Sequence, residues 1–191
     1  YLFDRDSGTV QLITTNAVTV APLSGLQGSA NPRWTSDGRW IVFESLAHAL
    51  TDDPIFGSGI ARWYARDMTR QTTRLLSDAG IPNVLTEESL GAALSGDGTT
   101  VAFSGSSPGT AGVTDILVRH LESWEITASV TNALRPRLDR AAQRLAYRSR
   151  PSSSKPGTNA VRVLHIPSGE SLPVDVAPDG TPPSALTRSF E

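Results

Sequence analysis

The segment RWTSDGRWIVFES (residues 33–45) joins a Ser-Asp-Gly turn to an apolar run that contains Phe43. The same arrangement returns in LSGDGTTVAFSG (94–105), where Asp97-Gly98 corresponds to Asp37-Gly38 and Phe103 corresponds to Phe43. A Gly after Asp suits a tight hairpin turn, and the apolar run that follows suits a buried strand. The segment is therefore one copy of a repeated strand-turn-strand unit.

A third copy, DRAAQRLAYRS (139–149), is eroded. Tyr147 holds the aromatic position, and Ala141-Ala142 replace Asp-Gly. The three aromatic positions are 60 and then 44 residues apart. Spacings of this size are typical of stacked supersecondary units.

A second hairpin follows each copy, and a further one opens the chain. These hairpins are YLFDRDSGTVQLITT (1–15), WYARDMTRQTTRLLS (63–77), ILVRHLESWEITASV (116–130) and VRVLHIPSGESLPVD (161–175). Each reads as strand, polar turn, strand, so a full repeat contains four short strands. Repeated four-stranded units of about 40–45 residues predict an all-β fold, a β-propeller of four-stranded antiparallel blades.

At this point the chain resembles the WD-repeat-like β-propellers of the TolB type, whose units carry Ser-x-Asp-Gly, an apolar strand ending in Phe and a later Arg-Asp hairpin. Ser36-Asp37-Gly38 and Arg66-Asp67 fit this pattern best. The copy at 134–175 departs from it, because it lacks both Asp-Gly and Arg-Asp. The resemblance implies a bacterial protein of the periplasm or the extracellular space. Such motifs specify a fold and not an activity.

The strand count predicts about three and a half blades in a single propeller segment. The predicted blade parts are 1–17, 31–77, 90–131, 134–175 and the start of a further blade at 182–191. Closed propellers usually have four to eight blades. We therefore expect a partial propeller that belongs to a longer chain; a four-bladed ring closed by joining the two ends is the alternative.

Composition narrows the classes of function. Cysteine is absent, which excludes a disulfide scaffold and a thiolate metal site. The net charge of −2 gives no general attraction to nucleic acid, and we expect no nucleic-acid partner. No apolar run reaches the roughly 18 residues of a membrane span, and no signal-peptide pattern is visible.

Several residues match chemical motifs weakly. Ser107 lies in a Gly-x-Ser-x-Gly match, GSSPG (105–109), but the helix that must follow a nucleophile elbow is not predicted. His120 and His165 share one repeat position without a carboxylate partner, and His48 stands apart. Asp52-Asp53 have no calcium-loop spacing, and an Asx turn is the plainer role. We predict no catalytic residue, no cofactor and no metal site.

The aspartates and glycines of the repeated turns have a structural interpretation. We predict that Asp37 and Asp97 cap the hairpin turns and that Gly38 and Gly98 supply a positive φ angle.

An arginine-rich segment is the strongest surface signal. Residues 135–150 contain one acid, Asp139, and six arginines: Arg135, Arg137, Arg140, Arg144, Arg148 and Arg150. The favoured interpretation is a solvated strand face, on which arginine stems cover apolar surface. The alternative is contact with an anionic partner: an acidic protein face, lipid headgroups or nucleic acid.

Three aromatic residues separate into two groups. Trp124 stands at a hairpin position that Gly8 and Gly169 occupy in other repeats, so we expect an exposed ring at a protein contact. Trp63 and Tyr64 lie in a strand and are expected to be core residues.

These observations favour a non-enzymatic protein-binding or scaffold propeller that is a subunit or domain of a larger assembly. We expect other protein subunits as partners, with Trp124, Arg135, Arg137, Arg144 and Arg148 at the contact. Two alternatives stay open. The first is a propeller attached to a hydrolase of the prolyl oligopeptidase group that lies outside this chain, and the second is a carbohydrate-binding propeller with Trp124 as a sugar platform.

Overall fold

The computed structural model describes residues 1–14, 28–47, 50–51, 61–76, 91–106, 114–150 and 160–176, and within these ranges it contains β-strands and no helix. The chain forms two compact units, Tyr1–Val84 and Leu85–Glu191.

The first unit holds a two-stranded sheet and a four-stranded sheet. Strands β1 (Leu2–Phe3) and β2 (Val10–Gln11) pair antiparallel. The four-stranded sheet has the order β3-β4-β5-β6, and every neighbouring pair is antiparallel. Its strands are β3 (Ser29–Trp34), β4 (Trp40–Ser45), β5 (Arg62–Asp67) and β6 (Thr72–Leu75).

The second unit holds two four-stranded sheets of the same design. The first has the spatial order β7-β8-β9-β10, with β7 (Ala92–Leu94), β8 (Thr100–Ser106), β9 (Thr114–His120) and β10 (Ile126–Val130). The second has the order β11-β12-β13-β14, with β11 (Ala133–Leu138), β12 (Arg144–Ser149), β13 (Ala160–His165) and β14 (Glu170–Pro173). The predicted all-β fold of four-stranded antiparallel blades is confirmed.

The two central strands of the first four-stranded sheet are buried on both faces. Every residue of β4 and of β5 is buried, whereas β6 alternates between exposed and half-buried. Trp63 and Tyr64 are each only 1% exposed, which confirms the prediction that they are core residues. A run without polar alternation, such as WIVF, is what a strand covered on both sides requires.

The core of the first unit joins its two sheets. Ile41, Phe43 and Tyr64 extend from one face of β4–β5 and pack with Ile13, and Leu2 of β1 packs against the same cluster. The rings of Phe43 and Tyr64 stack with centroids 5.8 Å apart. The aromatic residue of the repeat therefore covers the preceding hairpin.

The core of the second unit has the same arrangement. Leu145, Tyr147 and Leu164 lie on one face of β11–β14 and pack against Ala102 and Val118 of the preceding sheet. Tyr147 thus has the role of Phe43, in agreement with the sequence alignment of the repeats.

The hairpin turns of the first two copies share one hydrogen-bond network. The Thr35 hydroxyl donates to Asp37 Oδ1 over 2.6 Å, and the Ser95 hydroxyl donates to Asp97 Oδ1 over the same distance. The Thr35 hydroxyl bond and then the backbone amide of Arg39 lower the pKa of Asp37. The φ angles of Gly38 and Gly98 are +69° and +75°, a region that an L side chain disfavours.

The hairpin turn of the third copy, which lacks Asp-Gly, is stabilised by a different set of hydrogen bonds. Asp139 stands where Thr35 and Ser95 stand in the other copies, and its Oδ1 accepts the amides of Gln143 and Arg144 over 2.8 and 3.1 Å. Ala142 takes the glycine position with φ of +53°, so its Cβ lies in a strained left-handed backbone. One carboxylate has thereby replaced a hydroxyl–carboxylate pair.

A β-bulge interrupts the first strand of two sheets. In β3 the register shifts between Ala30 and Arg33, and in β11 it shifts between Leu134 and Arg137. Each bulge contains a residue of positive φ followed by proline: Asn31-Pro32 with φ of +53°, and Arg135-Pro136 with φ of +54°. A bulge redirects the side chains of its strand.

A buried aspartate ties together two turns of the first sheet. Asp67 is fully buried, and its Oδ2 accepts from Arg39 Nη2 over 3.0 Å and from Arg70 Nη1 over 3.2 Å. Its Oδ1 accepts the amides of Thr69 and Arg70. Burial raises the pKa of Asp67, but the bond from Arg39 and these amide bonds outweigh it, so the pKa lies below its ordinary value.

The strained alanine gives a first prediction. Ala142→Gly removes the Cβ from a left-handed residue and should raise the free energy of unfolding by about 1 kcal/mol. Gly38→Ala is the matched control, since it places a Cβ in the same conformation, and should lower it by a similar amount. Urea denaturation of both variants tests this; a loss of stability in Ala142→Gly would contradict it.

The Asp67 network gives a second prediction. Because the folded pKa is lowered, the ionised carboxylate stabilises the fold above the unfolded value near 3.8, and that stability is lost as the pH falls through the folded pKa. Asp67→Asn should cost about 2 kcal/mol at pH 7 and flatten this acid limb. Thermal unfolding between about pH 3 and pH 7 measures both effects. The exposed Asp6→Asn is the control, and equal losses in the two variants would contradict the assignment.

Candidate interaction surface

The register of β11–β14 brings three arginines and an apolar strip to one face of the sheet. Arg137 pairs with Ala146, Ala146 with Val163, and Val163 with Leu172, so these side chains form one row. Arg144 and Arg148 lie two residues to either side of Ala146 and therefore point to the same side. We call the face formed by Arg137, Arg144, Ala146, Arg148, Val161, Val163 and Leu172 the open face.

The apolar part of the open face is accessible to solvent. Val161 is 48% exposed and Leu172 is 59% exposed, and Val174 beside them is 55% exposed. Arg137 and Arg144 are also exposed, and Arg148 is half-buried. A contiguous apolar strip bordered by charge is typical of an interaction surface.

The opposite face of the same sheet is covered. Leu145, Tyr147 and Leu164 are exposed by 7% or less and belong to the core shared with β7–β10. The sheet is therefore asymmetric, with one face buried and one face open.

The equivalent of the open face in β7–β10 has a different composition. Thr100 and Ser104 stand at the positions of Arg144 and Arg148, to either side of Ala102, and they are 4% and 0% exposed. Ala102 packs against β11–β14 through the shared core. On the covered face of β7–β10 the two positions therefore carry small uncharged side chains, whereas on the open face of β11–β14 they carry guanidinium groups.

The other arginines of the predicted cluster lie elsewhere. Arg135 occupies the bulge and is exposed. Arg140 lies in the turn, where its carbonyl accepts the Asp97 amide over 2.9 Å and its side chain leaves no room for a Cβ at Gly96. Arg150 follows the end of β12, and its amide donates to the carbonyl of Asn132. Of the four arginines predicted at a contact, Arg137, Arg144 and Arg148 share a face, and Arg135 is separated from them by the bulge.

Trp124 is less accessible than the sequence predicts. It takes the left-handed turn position with φ of +66°, but its side chain is half-buried. The Arg119 guanidinium lies 5.3 Å from the ring centroid, and Arg119 Nη1 donates to the Trp124 carbonyl over 2.8 Å. The ring is half-buried and not exposed as expected, because a cation–π contact covers one side of the indole.

The side chains of the two described histidines form hydrogen bonds within their own hairpin turns. His120 Nδ1 lies 3.2 Å from both the amide and the hydroxyl of Ser123, and His165 Nδ1 lies 2.8 Å from the hydroxyl of Ser168. Both occupy the turn position that Asp67 and Asp4 occupy in other hairpins. Across the described ranges, no group of three or more His, Cys, Asp or Glu side chains is arranged to hold a metal ion.

Several sequence predictions lie outside the described residues. These are Ser107, His48, Asp52, Asp53 and the predicted further strand at 182–191.

The sequence analysis did not single out a buried polar group in the first sheet. Glu44 is 6% exposed, and burial raises its pKa against the opposing effect of a 2.8 Å bond from Asn31 Nδ2. Its other oxygen, Oε1, has no hydrogen-bond partner in the described part of the chain, and neither has the indole nitrogen of Trp63, which is directly opposite on β5. A glutamate inside an apolar strand was the signal available in the sequence.

The valines and the leucine of the open face were also missed. Their signal is the alternation in VRVLH, in which Val161 and Val163 point away from the buried Leu164.

The chain is similar to known proteins in structure and not in sequence. No family model and no curated protein sequence matches the chain. Among solved structures, the β-propeller domain of the Trilobed protease from Pyrococcus furiosus is 16% identical with a TM-score of 0.50, over 78% of this chain and 43% of that one. The AtxE2 isopeptidase is 13% identical with a TM-score of 0.50, over 82% and 29%. TolB from Acinetobacter baumannii is 15% identical with a TM-score of 0.36, over 79% and 44%.

The likeness establishes the fold alone. At these identities the first two structures support the β-propeller architecture and carry no statement about activity. The chain spans less than half the length of each of the three. Within the described residues, no helix is long and apolar enough to cross a bilayer.

Exchange of residues between the two equivalent faces gives a third prediction. Arg144→Thr and Arg148→Ser should change the free energy of unfolding by less than about 0.5 kcal/mol, because the open face is solvated. Thr100→Arg or Ser104→Arg should cost about 3 kcal/mol or more, because it buries an unpaired charge. Urea denaturation of the four variants tests the difference, and similar losses in both pairs would show that the two faces are equally covered.

Proposed function

We propose that this β-propeller segment is a non-enzymatic protein-binding module that works as part of a larger assembly. The observation that carries the proposal is the open face of β11–β14. Two of its arginines occupy the positions at which the covered face of β7–β10 has threonine and serine. The open face therefore suits a partner that supplies carboxylates. In this proposal the blade parts 1–17, 31–77, 90–131, 134–175 and 182–191 belong to one propeller.

The mixture of side chains favours a protein partner. A phosphate backbone is bound mainly by basic groups and needs no apolar strip. On the open face, Ala146 and Val163 lie in the row between Arg137 and Leu172, so a complementary surface must bring apolar groups and anions together. Another protein surface meets both requirements.

Arginine is also the suitable cation for such a contact. Its planar guanidinium can bind a carboxylate through two parallel hydrogen bonds, and it is less strongly hydrated than an ammonium group. Arginine is enriched at the residues that dominate binding energy. We therefore infer that Arg144 and Arg148 select the partner and that Val161 and Leu172 supply most of the buried apolar area.

The polar side chains of the described turns support a binding role over a catalytic one. Asp37, Asp97 and Asp67 accept hydrogen bonds that hold hairpins, and His120 and His165 bond to serines of their own turns. Their hydrogen-bonding capacity serves the blades. The motif resemblance to TolB-type propellers supports a bacterial periplasmic or extracellular setting.

Charge reversal on and off the open face tests the proposal. The wild-type chain and Arg144→Glu/Arg148→Glu are tagged, expressed in the native organism and compared by native mass spectrometry of the purified complexes. We expect a stoichiometric protein partner with the wild type, its loss with the double variant, and weakened retention of it above about 500 mM salt.

The control is Arg135→Glu/Arg140→Glu, which makes the same change in net charge outside the open face. It should retain the partner. Equal loss of the partner with both double variants would show that only the net charge of the chain matters. The absence of a stoichiometric partner from the wild-type preparation would overturn the proposed function.

A further inference from the structure

We propose that Arg62, Ser45 and Ser29 form a binding site for a tetrahedral oxyanion, a phosphoryl or sulfate group. The three residues form one row across the first four-stranded sheet, because Ser29 pairs with Ser45 and Ser45 pairs with Arg62. The row lies on the face that carries Phe43 and Tyr64, at the end of the sheet where β4 ends and β5 begins. It belongs to the first unit and is a different site from the open face.

Arg62 is a buried cation without a counter-charge in the described part of the chain. It is 7% exposed, and its Nη1 atom is fully buried and makes no hydrogen bond there. Glu44 lies next to Ser45 on β4 but points to the opposite face, where Asn31 Nδ2 donates to it. Burial of an unpaired charge is strongly unfavourable, so an anion bound beside Arg62 would offset its lost hydration.

The next arginine on the same face of β5 shows the contrast. Arg66 is equally buried, at 6% exposed. Its Nη1 donates to Thr73 Oγ1 over 3.0 Å, and its Nη2 donates to Gln71 Oε1 over 2.8 Å. The sheet therefore supplies acceptors for one buried guanidinium and none, among the described residues, for Nη1 of Arg62. A ligand that brings its own acceptors would complete the second.

The serines add a hydroxyl donor beside the guanidinium. Ser29 Oγ donates to Ser45 Oγ over 2.9 Å, and the Ala47 amide donates to the same oxygen over 3.0 Å. The Ser45 oxygen thus accepts two bonds, and no acceptor in the described ranges takes its own hydrogen. Side chains directly opposite in an antiparallel pair have Cβ atoms about 5 Å apart. The Ser45 hydroxyl and the Arg62 fork can therefore reach the same anion.

The neighbouring phenol does not neutralise Arg62. The Tyr64 hydroxyl donates to the Ala47 carbonyl over 2.8 Å. Burial raises the pKa of Tyr64 above its ordinary value, although the positive charge of Arg62 opposes this effect. The phenol therefore stays neutral at neutral pH, and the guanidinium keeps its full charge for a ligand.

The row is not required by the repeated sheet. Two residues beyond the repeat aromatic, where β4 has Ser45, strands β8 and β12 have Gly105 and Ser149. Gly105 pairs with Asp115, and Ser149 pairs with Ala160, so neither sheet places a cation there. The Ser149 hydroxyl donates to the Ala160 carbonyl over 3.2 Å. A buried arginine beside an uncommitted hydroxyl is thus particular to the first sheet, which favours a ligand over a structural role.

The directions of the donors select the class of anion. A guanidinium binds two oxygens of one anion through parallel hydrogen bonds. A carboxylate uses both of its oxygens on that fork, whereas a phosphoryl or sulfate group presents a further oxygen to Ser45. The tetrahedral anion therefore uses more of the donors in the row.

Thermal unfolding in phosphate, followed by circular dichroism, tests the site. The 191-residue chain is compared in phosphate and in chloride at about pH 7 and equal ionic strength. For a dissociation constant of about 2 mM, about 20 mM phosphate should raise the Tm by roughly 4 °C, because a ligand that binds only the folded state stabilises it. Sulfate should act like phosphate.

Two variants localise the effect. Arg62→Met should remove most of the phosphate-dependent shift, and its Tm in chloride should be equal to or above that of the wild type, because an apolar side chain replaces an unpaired buried charge. Ser45→Ala should reduce the shift and leave part of it. Arg33→Met is the control, since Arg33 is exposed and pairs with Val42 on the opposite face; it should respond like the wild type.

Three results would overturn the site. The first is a wild-type shift in phosphate no larger than that of Arg62→Met. The second is a large drop in the Tm of Arg62→Met in chloride, which would show that Arg62 is already paired within the fold. The third is an equal shift in acetate, which would rule out selection of a tetrahedral anion. None of these results bears on the open face, whose charge-reversal variants test the proposed function separately.

Discussion

The central strands of β3–β6 and of β7–β10 carry mostly apolar side chains on both faces, and both faces are covered, which keeps these side chains from water. Burial on one side is achieved by an aromatic residue, Phe43 or Tyr147, that covers the element before it. Burial on the other side depends on small residues such as Ala102, which let the next sheet approach. The apolar composition of the covered faces follows from this requirement.

The sequence contained enough to predict the fold because its determinants are local. A turn glycine and an alternating or continuous apolar run act within a few residues, so Asp37-Gly38 and Phe43 could be recognised in isolation. The candidate surface was only partly predictable. Six arginines lie within residues 135–150, but the bulge at Arg135-Pro136 and the pairing of β11 with β12 decide which of them share a face. The partial burial of Trp124 was not predicted, because the guanidinium that contacts its ring belongs to Arg119 on strand β9.

The two hairpin chemistries show how a repeat tolerates change. Thr35 and Asp37 divide the capping of a turn between a hydroxyl and a carboxylate, and Asp139 alone caps the equivalent turn in the eroded copy. The backbone geometry is retained even at Ala142, where it is strained. A four-stranded sheet can thus lose its sequence signature and keep the geometry of its turn.

The proline in each bulge has a consequence for how this protein meets other chains. Strands β3 and β11 are the outer strands of their sheets, and an outer strand with free amide and carbonyl groups is a template for uncontrolled pairing. Pro32 and Pro136 remove an amide donor there, the bulge breaks the regular spacing of the remaining ones, and Arg33 and Arg137 add charge. In the remaining four-stranded sheet, β7–β10, the edge strand β7 is only three residues long. Aggregation through strand addition is thereby disfavoured at these three sheet edges.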